Sequence, residues 1–323
     1  MTRLWLPALL AAAAAAVPLL IAQPYYTNTA SQILIAAVFA LSLNLLVGYA
    51  GLTSLGHAAY LGMAAYMVAF LTVQQGFGHA AAAALAIAVT VALAMIFGII
   101  ALRASGLGFL MITLAEGQVL WGIAYRWVEV TNGDNGIPGV RRPAPFGVDL
   151  AAPKPFYVFC LIIFAAALLQ IWAMVGSGFG AGIVGTRDQP RRMRMLGFDV
   201  RLICWLTFVA AGFWAGVAGI LFVYYNQYVS PHVLGLTNSV EALLMVIAGG
   251  AGTLSGPILG AAIVVVLKNV ASAYIARWVM LLGIVFVLIV VFMPEGLMPG
   301  IRSILARRRA RAARSAVLDV KRA

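Results

Sequence analysis

The chain carries about ten apolar runs of transmembrane length, and that repetition decides what it can fold into. A run of ~20 apolar residues crosses a bilayer as a helix, because a helix satisfies its own backbone hydrogen bonds where no water is present. The runs lie near 4–22, 31–49, 54–73, 81–102, 107–128, 156–175, 202–225, 239–254, 257–275 and 278–293. Gly-rich breaks around Gly51 and Gly252 interrupt otherwise continuous apolar sequence, so eight to ten spans are expected. The fold class this predicts is an all-α polytopic membrane protein.

Composition agrees. Only 9% of the 323 residues are charged and 64% are hydrophobic, against about 25% charged in ordinary soluble domains. Such a chain cannot cover its own surface in water, and no stretch between Leu4 and Met293 is long enough for a soluble catalytic domain. One transmembrane domain over 1–301 is expected, with an inner loop at 176–201, an outer loop at 129–155 and a basic tail at 302–323. The first run follows Arg3 and is 19 residues long, from Leu4 to Ala22. That exceeds the 7–15 apolar residues of a secretory signal core, so it reads as a first membrane helix.

The net charge of +12 does not mark a nucleic-acid binder, because Lys and Arg fall in short clusters between apolar runs. With ten spans and an inward N-terminus, Arg3, Arg103, the 176–201 loop and the tail after Pro294 share one side. They hold 15 of the 21 Lys and Arg residues. The other side holds six: Arg126, Arg141, Arg142, Lys154, Lys268 and Arg277. The positive-inside rule then predicts an N-in, C-in topology. The tail, with Arg307, Arg308, Arg309, Arg311 and Arg314, suits anionic lipid headgroups at about 1 kcal/mol per residue.

Enzyme signatures are missing from the sequence. It has no Gly-x4-Gly-Lys-Ser/Thr phosphate loop, no His-x-x-x-His pair and no Cys cluster; Cys160 and Cys204 each sit alone in an apolar run. His57, His79 and His232 are too dispersed to suggest a metal site. Intramembrane charge is sparse as well: Glu116 falls in the middle of 107–128 near Thr113, and Glu241 near the start of 239–254. A transporter driven by protons or sodium generally needs more buried carboxylates than this, so an external energy source is expected. Glu116 reads either as part of a polar pathway or as a helix-packing glutamate.

Two segments echo each other. Gly51, Thr53, Ser54 and Gly56 in the first half match Gly252, Thr253, Ser255 and Gly256 in the second, each between two apolar half-runs. Paired Gly-broken hydrophobic segments are what discontinuous helices lining a pathway look like. The same residues also serve simple close packing of helices. The candidate pathway residues are Ser42, Asn44, Thr53, Ser54, His57, Glu116 and Ser255.

The most informative segment is the inner loop from Gly185 to Arg201, GTRDQPRRMRMLGFDVR. A basic stretch, a Gly turn and a return into an apolar helix describe a short helix lying across the membrane face. This segment resembles the coupling loop of branched-chain amino-acid importer permeases, the LivH/LivM family of ABC importers. The run from Ser42 to His57 (SLNLLVGYAGLTSLGH) is similar to a second hallmark of that family, the outer loop from Thr131 to Ile137 (TNGDNGI) to a third, and Gly249–Gly260 to its last. The resemblance runs in order from about 31 to 296, and the Arg-Asp form of the loop favours the LivM-type subunit.

The resemblance implies a type II ABC-importer-like permease in the bacterial inner membrane. Its partners would be a LivH-like second permease, two LivG/LivF-like ATP-binding cassette subunits and an extracytoplasmic substrate-binding protein. Such a permease has no catalytic residues and no cofactor, ATP being bound by the partner subunits. Gly185, Arg187, Asp188, Arg191, Arg192, Gly197 and Asp199 would couple it to the ATPases. Where the family continues past Arg-Asp with small and acidic residues, this chain has Gln189, Pro190, Arg191 and Arg192, which implies a more acidic ATPase surface. The family also includes importers of urea and short amides, and the residues alone also admit a self-sufficient secondary transporter.

Overall fold

The computed structural model describes residues 23–144 and 149–274, with scattered positions between 280 and 300. Helix α1 spans Pro24–Asn44 and continues as a π-helical stretch, Leu45–Ala50, to Gly51. Its first residue is a proline, whose fixed φ and missing N–H suit the opening turn of a helix. An irregular segment leads to α2, His57–Ala69, itself extended by a π-helical Phe70–Gln74. Then come α3 (His79–Ala101) and α4 (Leu107–Arg126). The following loop holds a single turn, α5 (Val128–Thr131), and β1 (Ile137–Pro138). Beyond it lie α6 (Pro153–Gly176), α7 (Gly178–Asp188), α8 (Pro190–Met195) and α9 (Val200–Asn226). The described chain closes with β2 (Tyr228–Val229), α10 (Leu236–Gly249) and α11 (Ser255–Tyr274).

Among the described residues, five helical stretches are long and apolar enough to cross a membrane: Pro24–Ala50, His79–Ala101, Leu107–Arg126, Pro153–Gly176 and Val200–Asn226. Two shorter apolar helices, Leu236–Gly249 and Ser255–Ala271, join them. The chain is a multi-pass, all-α membrane protein. Each interior apolar run of the sequence became a helix, with shifted edges: α1 begins at Pro24 rather than near 31, and α2 at His57 rather than 54. The expected first span at 4–22, most of 278–293 and the basic tail lie outside the described residues.

Burial sorts the helices into layers. The apolar window of α1 is 83% buried and that of α9 61%, against 22% for α3, 33% for α4 and 28% for α6. With the almost wholly buried α2, helices α1 and α9 form the centre of the bundle. The other three turn apolar faces outward, through Ile96, Ile99 and Ile100 on α3, Met111 and Val119 on α4, and Ile162 and Leu169 on α6. Because lipid is as apolar as leucine, close packing and hydrogen bonding hold such helices together rather than exclusion of water. Small residues permit it: Gly212 of α9 lies against the Ala94 side chain of α3, and Gly216 against Thr90.

The two ends of the bundle differ. At one end β1 and β2 form an antiparallel ribbon, Ile137 opposite Val229 and Pro138 opposite Tyr228, tying the 129–152 loop to the exit of α9. Arg142 fastens the same loop: its Nε donates to the Tyr224 carbonyl at 3.1 Å, and its guanidinium stacks 4.3 Å from the Phe156 ring centroid. At the opposite end lie α7 and α8, with both helix breaks close by.

Candidate functional site

The two Gly-broken segments, about two hundred residues apart in sequence, meet in space. Gly48 on the last turn of α1 packs so closely on the backbone of Gly252 that a Cβ on Gly48 would overlap the Gly252 nitrogen. Asn44, one turn earlier, bridges the contact with both ends of its amide. Its Nδ2 donates to the Thr253 carbonyl at 2.9 Å, and its Oδ1 accepts from the Gly252 N–H at 3.0 Å. Irregular backbone is tolerated at membrane depth only where protein groups satisfy it. Here the Leu55 N–H donates to Thr113 Oγ1 (3.3 Å), the Ala58 N–H to Ser239 Oγ (3.0 Å) and the Gly256 N–H to Thr253 Oγ1 (3.0 Å). Side chains from α4, α10 and the second break thus complete the hydrogen bonding that the broken helices lack.

Arg187, at the end of α7, reaches the same junction from below. Its Nη1 donates to the Gly48 carbonyl at 2.7 Å, and its Nε donates to Asp188 Oδ1 at 2.9 Å. Its aliphatic stem occupies the place where a Cβ on Gly51 would stand, and Gly51 has a left-handed φ of 71°. Arg187 therefore faces the helix break, and Asp188 holds its guanidinium in that orientation.

The rest of the 185–201 segment divides between support and display. Gly185 lets α7 pack against Met193 of α8, and Gly197, at φ 86°, turns the chain after α8. Asp199 caps α9: its Oδ1 accepts from the Arg201 and Leu202 N–H groups at 2.9 and 3.1 Å. Arg191 and Arg192 are exposed. Beside them stand three exposed apolar side chains, Met195 (87% exposed), Leu196 (71%) and Phe198 (47%). A basic rim around exposed large apolar side chains is the composition of a docking surface. Sequence reading missed these three, although an apolar triplet in a basic loop was there to be noticed.

The candidate pathway residues form a polar seam inside the bundle instead of lining an open channel. Ser42, Asn44, Ser54, His57, Glu116 and Ser255 are all buried, and Thr53 is half-buried. Ser42 Oγ donates to the Phe39 carbonyl at 2.7 Å and lies 2.8 Å from His57 Nε2. His57 stacks on Phe39, ring centroids 5.4 Å apart. Ser54 Oγ, His57 Nδ1 and both Glu116 carboxylate oxygens are buried without a hydrogen-bond partner among the described residues. Ser239, which the sequence reading passed over, and Thr113, noted only as a neighbour of Glu116, belong to the same seam. No cluster of three or more His, Cys, Asp or Glu that could hold a metal occurs among the described residues.

Two interlocked helix breaks, a buried polar seam and a basic segment with exposed apolar side chains at one end of a multi-pass bundle suit a membrane transport component. The chain belongs to the family described as "Branched-chain amino acid transport system / permease component", which matches residues 25–291. It is similar to the high-affinity branched-chain amino acid transport system permease protein LivM of Escherichia coli K12, with 26% identity over 295 residues, covering 84% of this chain and 69% of that protein. The LivM protein of Salmonella typhimurium matches to the same extent. No solved structure matches the chain. As a permease component it is a transport subunit, not an enzyme, and it works within a system of further subunits.

Proposed function

We propose that this chain is the LivM-type permease of an ABC importer for branched-chain amino acids, paired with a LivH-like permease in the bacterial inner membrane. Two ATP-binding cassette subunits of the LivG/LivF kind drive it, and an extracytoplasmic binding protein feeds it. The distribution of Lys and Arg supports an N-in, C-in topology, with α7 and α8 on the cytoplasmic side and the β ribbon outside. The observation that carries the reading is the bond from Arg187 to the Gly48 carbonyl, which links the docking segment to the helix break in a single residue.

In this mechanism Met195, Leu196 and Phe198 seat in a groove of the ATPase, with Arg191 and Arg192 on its acidic rim. ATP binding closes the ATPase pair and displaces α7 and α8, and Arg187 passes that displacement to Gly48 and the paired breaks. Opening of the seam exposes Ser42, Ser54, His57, Glu116 and Ser255, and the partnerless Ser54 Oγ, His57 Nδ1 and Glu116 carboxylate oxygens then meet water and substrate. The cycle runs because ATP binds one state of the assembly better than the other. Thermal-shift screening of the cognate binding protein tests the substrate. Leucine, isoleucine and valine should raise its melting temperature; stabilisation by urea or short amides alone would move the importer to that substrate class.

A further inference from the structure

A second polar site lies away from the breaks, in the half of the bundle nearer the β ribbon. Lys268 is 13 residues past the start of α11, about 20 Å along its axis. Its Nζ meets both carboxylate oxygens of Glu241 on α10, at 3.2 and 3.1 Å. The pair borders a cavity of about 100 Å³, whose polar lining also includes Asn226 and Asn238. Its apolar lining includes Ile35 and Phe39 of α1, Met245 one turn from Glu241 on α10, and Val265 three residues before Lys268 on α11. Beside the pair, Asn269 Nδ2 donates to Gln32 Oε1 at 3.0 Å, joining α11 to α1.

A charge pair at membrane depth is costly to bury, and replacing such a pair with apolar residues is often neutral or stabilising. Cohesion of α10 and α11 therefore does not require it. Nor is it sealed in the core: the Lys268 side chain is 33% exposed and that of Glu241 12%. Both charges border a space that could hold several waters.

We propose that Glu241 and Lys268 form a subsite for the zwitterionic head of an aliphatic α-amino acid. The carboxylate of the ligand takes Lys268 and its ammonium takes Glu241, so one ion pair becomes two while the site stays neutral. Ile35, Phe39, Met245 and Val265 receive the aliphatic side chain. A ligand of single net charge would leave an uncompensated charge in the cavity, and an uncharged amide would leave the protein pair nothing to exchange with. The subsite deepens the importer reading and rests on it.

The test is uptake of labelled leucine by the complete importer in vesicles, comparing wild type with E241L/K268L and with E241Q/K268Q. The Leu pair keeps α10 against α11, and the Gln pair keeps side-chain length and hydrogen bonding. Both should fold, as read by thermal unfolding, and should keep ATP hydrolysis stimulated by the loaded binding protein. Both should lose about tenfold or more in kcat/KM for leucine, as expected when a charge-assisted contact is removed. Leucine uptake at the wild-type level in whichever variant folds would overturn the subsite while leaving the importer reading intact. A wild-type complex that carries only urea or amides would overturn both.

Discussion

Arg187 at the end of α7 donates to the Gly48 carbonyl at 2.7 Å, and that one bond joins the basic 185–201 segment to the broken end of α1. A hydrogen bond involving a charged group is worth about 1.5–3 kcal/mol. The residue is half-exposed, so its removal is felt more in transmission than in folding.

R187A should therefore insert and unfold like the wild type, while ATP-driven uptake falls about tenfold, equivalent to roughly 1.4 kcal/mol of lost coupling. R187K should recover little, because an ammonium cannot span Gly48 and Asp188 as the planar guanidinium does. Uptake and ATP hydrolysis measured together separate the outcomes. Hydrolysis that persists while uptake falls marks lost coupling, and unchanged uptake in R187A would reduce the segment to a topology signal.

The junction of the breaks makes a different prediction, about stability. A methyl group on Gly48 would overlap Gly252 and the Asn44 side chain, so G48A must push the end of α1 away from the turn between α10 and α11. Overpacking of this kind costs about 1–3 kcal/mol. N44A should cost a similar amount by another route, leaving the Gly252 N–H and the Thr253 carbonyl without their partner. Thermal unfolding in detergent reads both. Because the two changes act on one contact, the double variant should lose less than the sum of the singles.

How much of this could be read from sequence depends on the range of the interaction. The interior helices were legible because transmembrane length and hydropathy are local properties. The Gly breaks were legible too, since Gly51 and Gly252 punctuate apolar runs. The bond from Asn44 to Gly252 was not, because nothing local to either position reveals that residues so far apart will touch. For the same reason Arg187 read as a charge displayed to a partner, when its guanidinium turns back to Gly48. Glu241 read as a residue near a helix start and Lys268 as a charge on the outer side, and only the packing of α10 on α11 makes them a pair. The π-helical turn at Leu45–Ala50 escaped notice because its wider spacing leaves no mark in an apolar run. In the conformation described here Ser54 and Ser255 are buried, at 1% and 3% exposure.

That burial sharpens the accessibility experiment. In a background with Cys160 and Cys204 replaced by Ala, S54C and S255C should resist a small water-soluble thiol reagent in the conformation described here. They should become reactive when ATP and the loaded binding protein set the importer cycling. Protection of both cysteines in every nucleotide state would remove the seam from the pathway and leave it a packing feature.

This chain should move solute only when an ATPase moves it, and reconstitution into vesicles measures that dependence. Purified and placed alone in vesicles, it should accumulate no amino acid with ATP, a proton gradient or a sodium gradient. Addition of the second permease, the ATP-binding subunits and the binding protein should give leucine uptake that stops when ATP is withdrawn. Gradient-driven accumulation by the isolated chain would contradict the account, and if E116Q abolished it, Glu116 would be the coupling site of a secondary transporter.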